Sequence, residues 1–339
     1  MSKLGRIAVV TASAVAAAAG LAVSDATAAE PMPLQLEAKI PLGEVAGRID
    51  HMAVDLARRR LFVAELGNNT VGIVDLDGKK VAHVIRGLKE PQGVAYVAAN
   101  DSLYVANAGD GSVRRFGGKD YNDVGRIELG DDADNIRVDA AANQIVVGYG
   151  SGALARLDAA SGAKLSDIRL KAHPESFQLD PTSPRIFVNV PDAKEIAVVD
   201  RSSGRQTGSW NLHDGGNFPM ALDPDGQRVI AIFRRPSVLA VFSMADGTVV
   251  ARVPTCGDAD DVFFDAGRHR IYVSCGEGLI DVFAARGVAY ERIGRVPTAP
   301  GARTSLFVAD LDRLFVAARA TAGQPASILV FKPEQSEPK

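Results

Sequence analysis

Cysteine is scarce in this chain, with only Cys256 and Cys275 among 339 residues. No Cys-x-x-Cys occurs, which excludes a thioredoxin-like redox centre, a c-type haem attachment and a multi-cysteine zinc site. Aromatics make up 6% of residues and include one tryptophan, Trp210. That argues against a tryptophan-lined quinone cofactor site and leaves no evident aromatic platform for stacked bases. No His-Glu-x-x-His zinc helix is present. Beyond the first 29 residues no run approaches the roughly 18 consecutive apolar residues of a membrane span. Neither sign of charge dominates, and the formal net charge of −3 offers no general attraction for a polyanion. With 47% hydrophobic and 23% charged residues, the chain is not disordered and can bury a full core.

Residues 1–29 read as an export signal. Lys3 and Arg6 form a positive start, Ile7 to Val23 is an apolar Ala/Val-rich run, and Ala26-Thr27-Ala28 supplies the small residues of a cleavage site. Lys3, Arg6 and Asp25 together carry +1, so the mature chain moves from −3 to −4. The expected location is periplasmic or secreted, and the mature chain is expected to be soluble and monomeric.

The chain is rich in one repeat. Leu61, Leu103, Ile145, Ile186, Val229, Ile271 and Leu314 recur at intervals of 42, 42, 41, 43, 42 and 43 residues. Each opens an aliphatic and aromatic run such as Leu61-Phe62-Val63 or Ile271-Tyr272-Val273, the composition of a strand. The sixth unit divides into strands at 261–265, 270–275, 279–283 and 290–296, separated by turns such as Ala266-Gly267-Arg268-His269. Four antiparallel strands in about 42 residues make one propeller blade. The expected fold is therefore all-β, a seven-bladed β-propeller over residues 30–332, with a polar tail at 333–339. The seventh unit lacks a fourth strand, and Lys39-Ile40-Pro41-Leu42-Gly43 resembles the fourth-strand sequence Arg126-Ile127-Glu128-Leu129-Gly130. Residues 34–42 are expected to complete the last blade and close the ring, leaving no exposed edge.

Leu103-Tyr104-Val105-Ala106-Asn107, Ile271-Tyr272-Val273-Ser274 and the third strands Val71-Gly72-Ile73-Val74-Asp75 and Ile196-Ala197-Val198-Val199-Asp200 resemble YVTN repeats. Over about residues 34–332 the chain is similar to the exported, YncE-like YVTN β-propellers of bacteria. The resemblance implies the fold. For function it implies little, since such propellers include lactonase-like proteins and a single-stranded DNA binder, and the repeat itself consists of strand and turn residues.

Function then rests on residues that differ between copies. In a propeller the first strand of each blade lines the channel, and the loops entering it lie on one face, here the top face. Those positions hold Asp50-His51, Gln92-Gly93, Asp134-Asn135, Glu175-Ser176, Phe218-Pro219, Asp260-Asp261 and Arg303-Thr304, with His173, His213 and Asn217 beside them. Asp50, Asp134, Glu175 and Asp260 could hold Ca²⁺, or with imidazole Zn²⁺. They could equally form a hydrated acidic funnel whose side chains cap loop N–H groups. The first functional reading is a module that binds a small molecule or a periplasmic protein on this acidic face through Gln92, Asn135, Asn217 and Arg303. The alternative is a metal-dependent lactonase or related hydrolase in which His51 or His173 is the general base. Single-stranded nucleic acid is a third partner class, one that predicts strong salt dependence. Arg303 is either an anion clamp or the structural partner of Asp50 or Asp260. Cys256 and Cys275 fall on this same face and are read as a disulfide, with two free thiols as the alternative. Gly148-Tyr149-Gly150-Ser151-Gly152 has no helix behind it and is a turn rather than a phosphate loop.

Overall fold

The structure, a computed structural model, describes Met1 and residues 32–335. Apart from Met1, the residues read as an export signal lie outside the described residues, as do the last four residues of the tail. Seven four-stranded antiparallel sheets follow one another along the chain. Six of them span Met52–Ile85, Pro91–Glu128, Ala133–Arg169, Phe177–Asn211, Asn217–Pro254 and Ala259–Pro297. The seventh unites Ser305–Val308, Arg313–Ala318 and Ser327–Pro333 with Leu34–Pro41 from the start of the described chain. The N-terminal strand pairs antiparallel with the last one, from Leu34 opposite Pro333 to Pro41 opposite Ser327. Arg313 fixes the seam by a two-pronged contact to Glu37, at 2.5 and 2.8 Å.

The repeat anchors are each the second residue of a second strand, and all seven are buried to within 1%. Side chains alternate faces along a strand, and in this ring both faces of a blade meet a neighbour. Leu61 and Val63 therefore pack towards blade seven, while Phe62 packs towards blade two. In blade two, Leu103 and Val105 face blade one, and Tyr104 faces blade three. Seven such apolar clusters fill the junctions between neighbouring blades. This explains why second strands read as unbroken apolar runs, whereas the outer strand Asn122–Glu128 alternates with solvent. Removing one of the large buried rings, such as Tyr104, would cost about 3–5 kcal/mol.

Turns at the opposite end explain the recurring aspartates. Asp55, Asp139, Asp223 and Asp265 accept backbone N–H bonds three residues ahead, at 2.9–3.2 Å. The residue following each bonded N–H, in turn Arg59, Asn143, Gln227 and His269, is left-handed. The basic runs at 58–60 and 268–270 thus lie in these turns and at the first residue of the strand that follows. Arg268 pairs with Asp265 and Asp312 at 3.0 and 2.8 Å.

Candidate functional site

Loops between successive blades deliver their last residues to the top of the channel. Arg48, Asp50, His51, Asp134, Asn135, Glu175, Ser176, Phe218 and Asp260 together line a space of about 20 Å³ there, near the size of one water molecule. The first-strand residues come close because Gly93 has no side chain. A Cβ at that position would collide with the carbonyl oxygen of Asp134.

Ion pairs close this mouth. Arg48 reaches Asp50 at 2.6 Å and Gln92 at 3.2 Å. His51 lies between two carboxylates, with Nε2 3.6 Å from Asp50 and Nδ1 3.7 Å from Asp261. Asp261 is further held by the backbone N–H of Ser305 at 2.7 Å. On the other side, Asp260 is bound by Arg234 and by Arg303 at 3.0 Å, and Arg303 extends to Asp258 at 2.7 Å. Arg234 also stacks on the Phe218 ring, 3.8 Å from its centroid.

These placements set the protonation states. Burial opposes the charge on His51, but Asp50, Asp261 and Asp134 outweigh it and push its pKa up to about 10. Burial pushes the Asp134 carboxyl up to about 7; Asp50 and Glu175 add to this, and His51 works against it. Burial likewise raises Glu175, against the attraction of His173. Desolvation works against the charge on Arg48, yet the carboxylates around it, Asp50 foremost, hold its pKa above the ordinary value.

Six of the residues expected at the site therefore do line one space: Asp50, His51, Asp134, Asn135, Glu175 and Asp260. The others sit differently. Gln92 touches the network through Arg48. His173 is held by the carbonyl of Gly150, 2.6 Å from Nδ1, and is not part of the mouth lining. Asn217 is wholly buried and bonds to Asn189 and to the Glu195 carbonyl, at 2.9 and 3.1 Å, so its amide ties strands of blades four and five together. Arg303 pairs with Asp258 and Asp260 rather than Asp50.

Among the described residues, no group of three or more His, Cys, Asp or Glu side chains is placed to hold a metal ion. Asp50 and Asp260 are instead engaged by arginines. Between Asp50 and Asp261, His51 is drawn towards its protonated form.

The face is also less acidic than the entry positions suggested, because Arg48 and Arg234 come from outside them. Arg234 was recognisable in the sequence. It lies five residues past its anchor, where other blades have Leu66, Ala108, Gly150, Pro191, Gly276 and Arg319. Beside the mouth is a hollow of about 550 Å³ lined by Gly215, Gly216, Phe218, Arg234, Arg235 and Asp258. Arg235 on its rim is exposed and forms no ion pair among the described residues. Cys256 and Cys275 are bonded to each other in the same quarter of the ring, with Cα atoms 5.9 Å apart.

No protein-family model and no curated protein sequence matches this chain. Among solved structures it is similar to Kuenenia stuttgartiensis hydrazine synthase, with a TM-score of 0.71 and 16% identity over 93% of this chain and 99% of that one. Likeness at this level of identity establishes the β-propeller fold and nothing about chemistry.

Proposed function

We propose that the protein is an exported ligand-binding or protein-interaction module of the YVTN-repeat, YncE-like kind, working through its charged top face. The carrying observation is the hollow beside the mouth, where the unpaired Arg235 stands next to the Arg234–Phe218 stack. Its volume of about 550 Å³ is in the range that accepts a small organic ligand or an inserted side chain. An exposed guanidinium there favours an anionic partner group. Export is supported by the leader at residues 1–29 and by the Cys256–Cys275 bond, which suits an oxidising compartment. A thermal-shift panel of small anions tests the reading. At least one member should raise the melting temperature of the wild type, and Arg235→Ala should diminish that gain. A panel without a hit, or an undiminished gain in the variant, counts against it.

A further inference from the structure

Beneath the closed mouth, the first strands enclose a separate cavity of about 380 Å³ in the central channel. Its wall carries half-buried apolar side chains, including Ala53, Val54, Tyr96, Val138, Phe263 and Leu306. Three ionisable side chains face this cavity: Arg137, and His51 and Asp261, which lie against each other at 3.7 Å. Arg137 belongs to the lining, and its guanidinium makes one hydrogen bond, to the carbonyl of Ile136 at 2.8 Å, with the Phe177 ring 5.5 Å away. Among the described residues no carboxylate lies within ion-pair distance of it. Its nearest acids are otherwise occupied: Asp261 binds His51 and the Ser305 N–H, and Asp134 is held towards its neutral form.

The repeat shows that this arginine is not a structural requirement of the ring. Eight residues before each anchor the blades carry Ala53, Ala95, Arg137, Gln178, Ala221, Phe263 and Leu306. Six copies build the same strand without a charge. A guanidinium in a low-dielectric channel, with no carboxylate in contact, carries a desolvation cost that the more distant Asp261 and Asp134 only partly offset. Burial accordingly lowers its pKa.

We propose that the central channel is a second binding site, distinct from the top face, which takes a small organic carboxylate with its acid group on Arg137 and its apolar body against the channel wall. A carboxylate matches the planar fork of the guanidinium in two parallel hydrogen bonds. Gln178, on the next blade, lines the same cavity but its amide N–H is given to the Met220 carbonyl at 2.8 Å. His51 and Asp261 also line the cavity but are paired with each other, so the carboxylate of the ligand is read by Arg137. With the top mouth filled by ion pairs, the route in is from the opposite face.

The test uses 4-iodobenzoate and its neutral counterpart 4-iodobenzamide as probes on the full mature protein. Calorimetric titration should show the acid binding at least about tenfold more tightly than the amide, and Arg137→Gln should lose about tenfold or more for the acid alone. Arg205→Gln, on the exposed outer strand of blade four, should bind as the wild type does. Because Arg137→Gln could fail to fold, a wild-type crystal grown with 4-iodobenzoate supplies a second readout, in which the iodine anomalous signal should lie in the channel. Equal affinity for acid and amide, unchanged binding by Arg137→Gln, or iodine found only outside the channel would each overturn the proposal. Since none of these measurements involves Arg235, they leave the top-face reading to stand or fall separately.

Discussion

At the scale of single residues, the mouth is a set of committed charges. Arg303 contacts two carboxylates, and the side chain of one, Asp260, is only 12% exposed. Arg303→Ala should therefore lower stability by about 1.5–3 kcal/mol, read as a reduced urea midpoint. A free anion clamp would leave the midpoint unchanged and lose only ligand affinity. His51 makes the fold sensitive to alkali. Its folded pKa of about 10 lies above the ordinary 6.5, so its contribution is fully present below pH 6.5 and disappears as pH rises through 10. Asp134 acts in the same direction over a lower window, from its ordinary 3.8 up to about 7. Stability of the wild type should thus fall between pH 6.5 and 10 by an amount on the order of a few kcal/mol. His51→Gln should flatten that decline; urea titrations at several pH values that gave both proteins the same alkaline slope would refute the assignment. The identities of these residues were legible in the sequence as departures from the repeat. Their pairing was legible only in part: Arg48 and Asp50 are near neighbours in the chain, but His51 meets Asp261 only after ring closure brings blades one and six together.

At the scale of elements, the strand pattern was nearly complete in the sequence. The second strand of blade six runs Arg270–Cys275, as its composition and turns predict, and that of blade seven runs Arg313–Ala318. Outer strands proved longer than their hydrophobic cores, for instance Ala289–Pro297 against the expected 290–296. Pairing extends into polar residues because backbone hydrogen bonds need no apolar side chain. The disulfide joins the loop entering blade six to the end of that blade's second strand, which pairs Ala259 with Cys275. It closes a loop of 19 residues, so reduction or a Cys256→Ser/Cys275→Ser double variant should cost about 3 kcal/mol. Identical urea midpoints with and without reductant would show that the bond contributes nothing to the fold. Spacing alone left a bridge and two thiols both open, since 19 intervening steps do not fix a distance.

At the scale of the molecule, the ring is held by its seam. Leu34 and Ile40 from the N-terminal strand are buried in the clusters on either side of blade seven, so that strand contributes to the core as well as covering an edge. A chain beginning at Gly43 would leave Ser327–Pro333 as an unpaired edge and lose both side chains. It should melt well below the mature protein, by more than the 2–5 kcal/mol of a single large core truncation, and should self-associate through the open edge. Equal melting curves with no change in sedimentation would show that closure is dispensable. The sequence alone determined the number of blades, the four-strand unit and the strand that closes the ring, because period and turn chemistry are local and repeat seven times. Only the tertiary structure decided which charges meet. It sealed the mouth with arginines, left Arg137 facing an apolar channel, and turned Asn217 into an internal tie. Those outcomes depend on distances across the ring between residues far apart in the chain, and no spacing along the sequence encodes them.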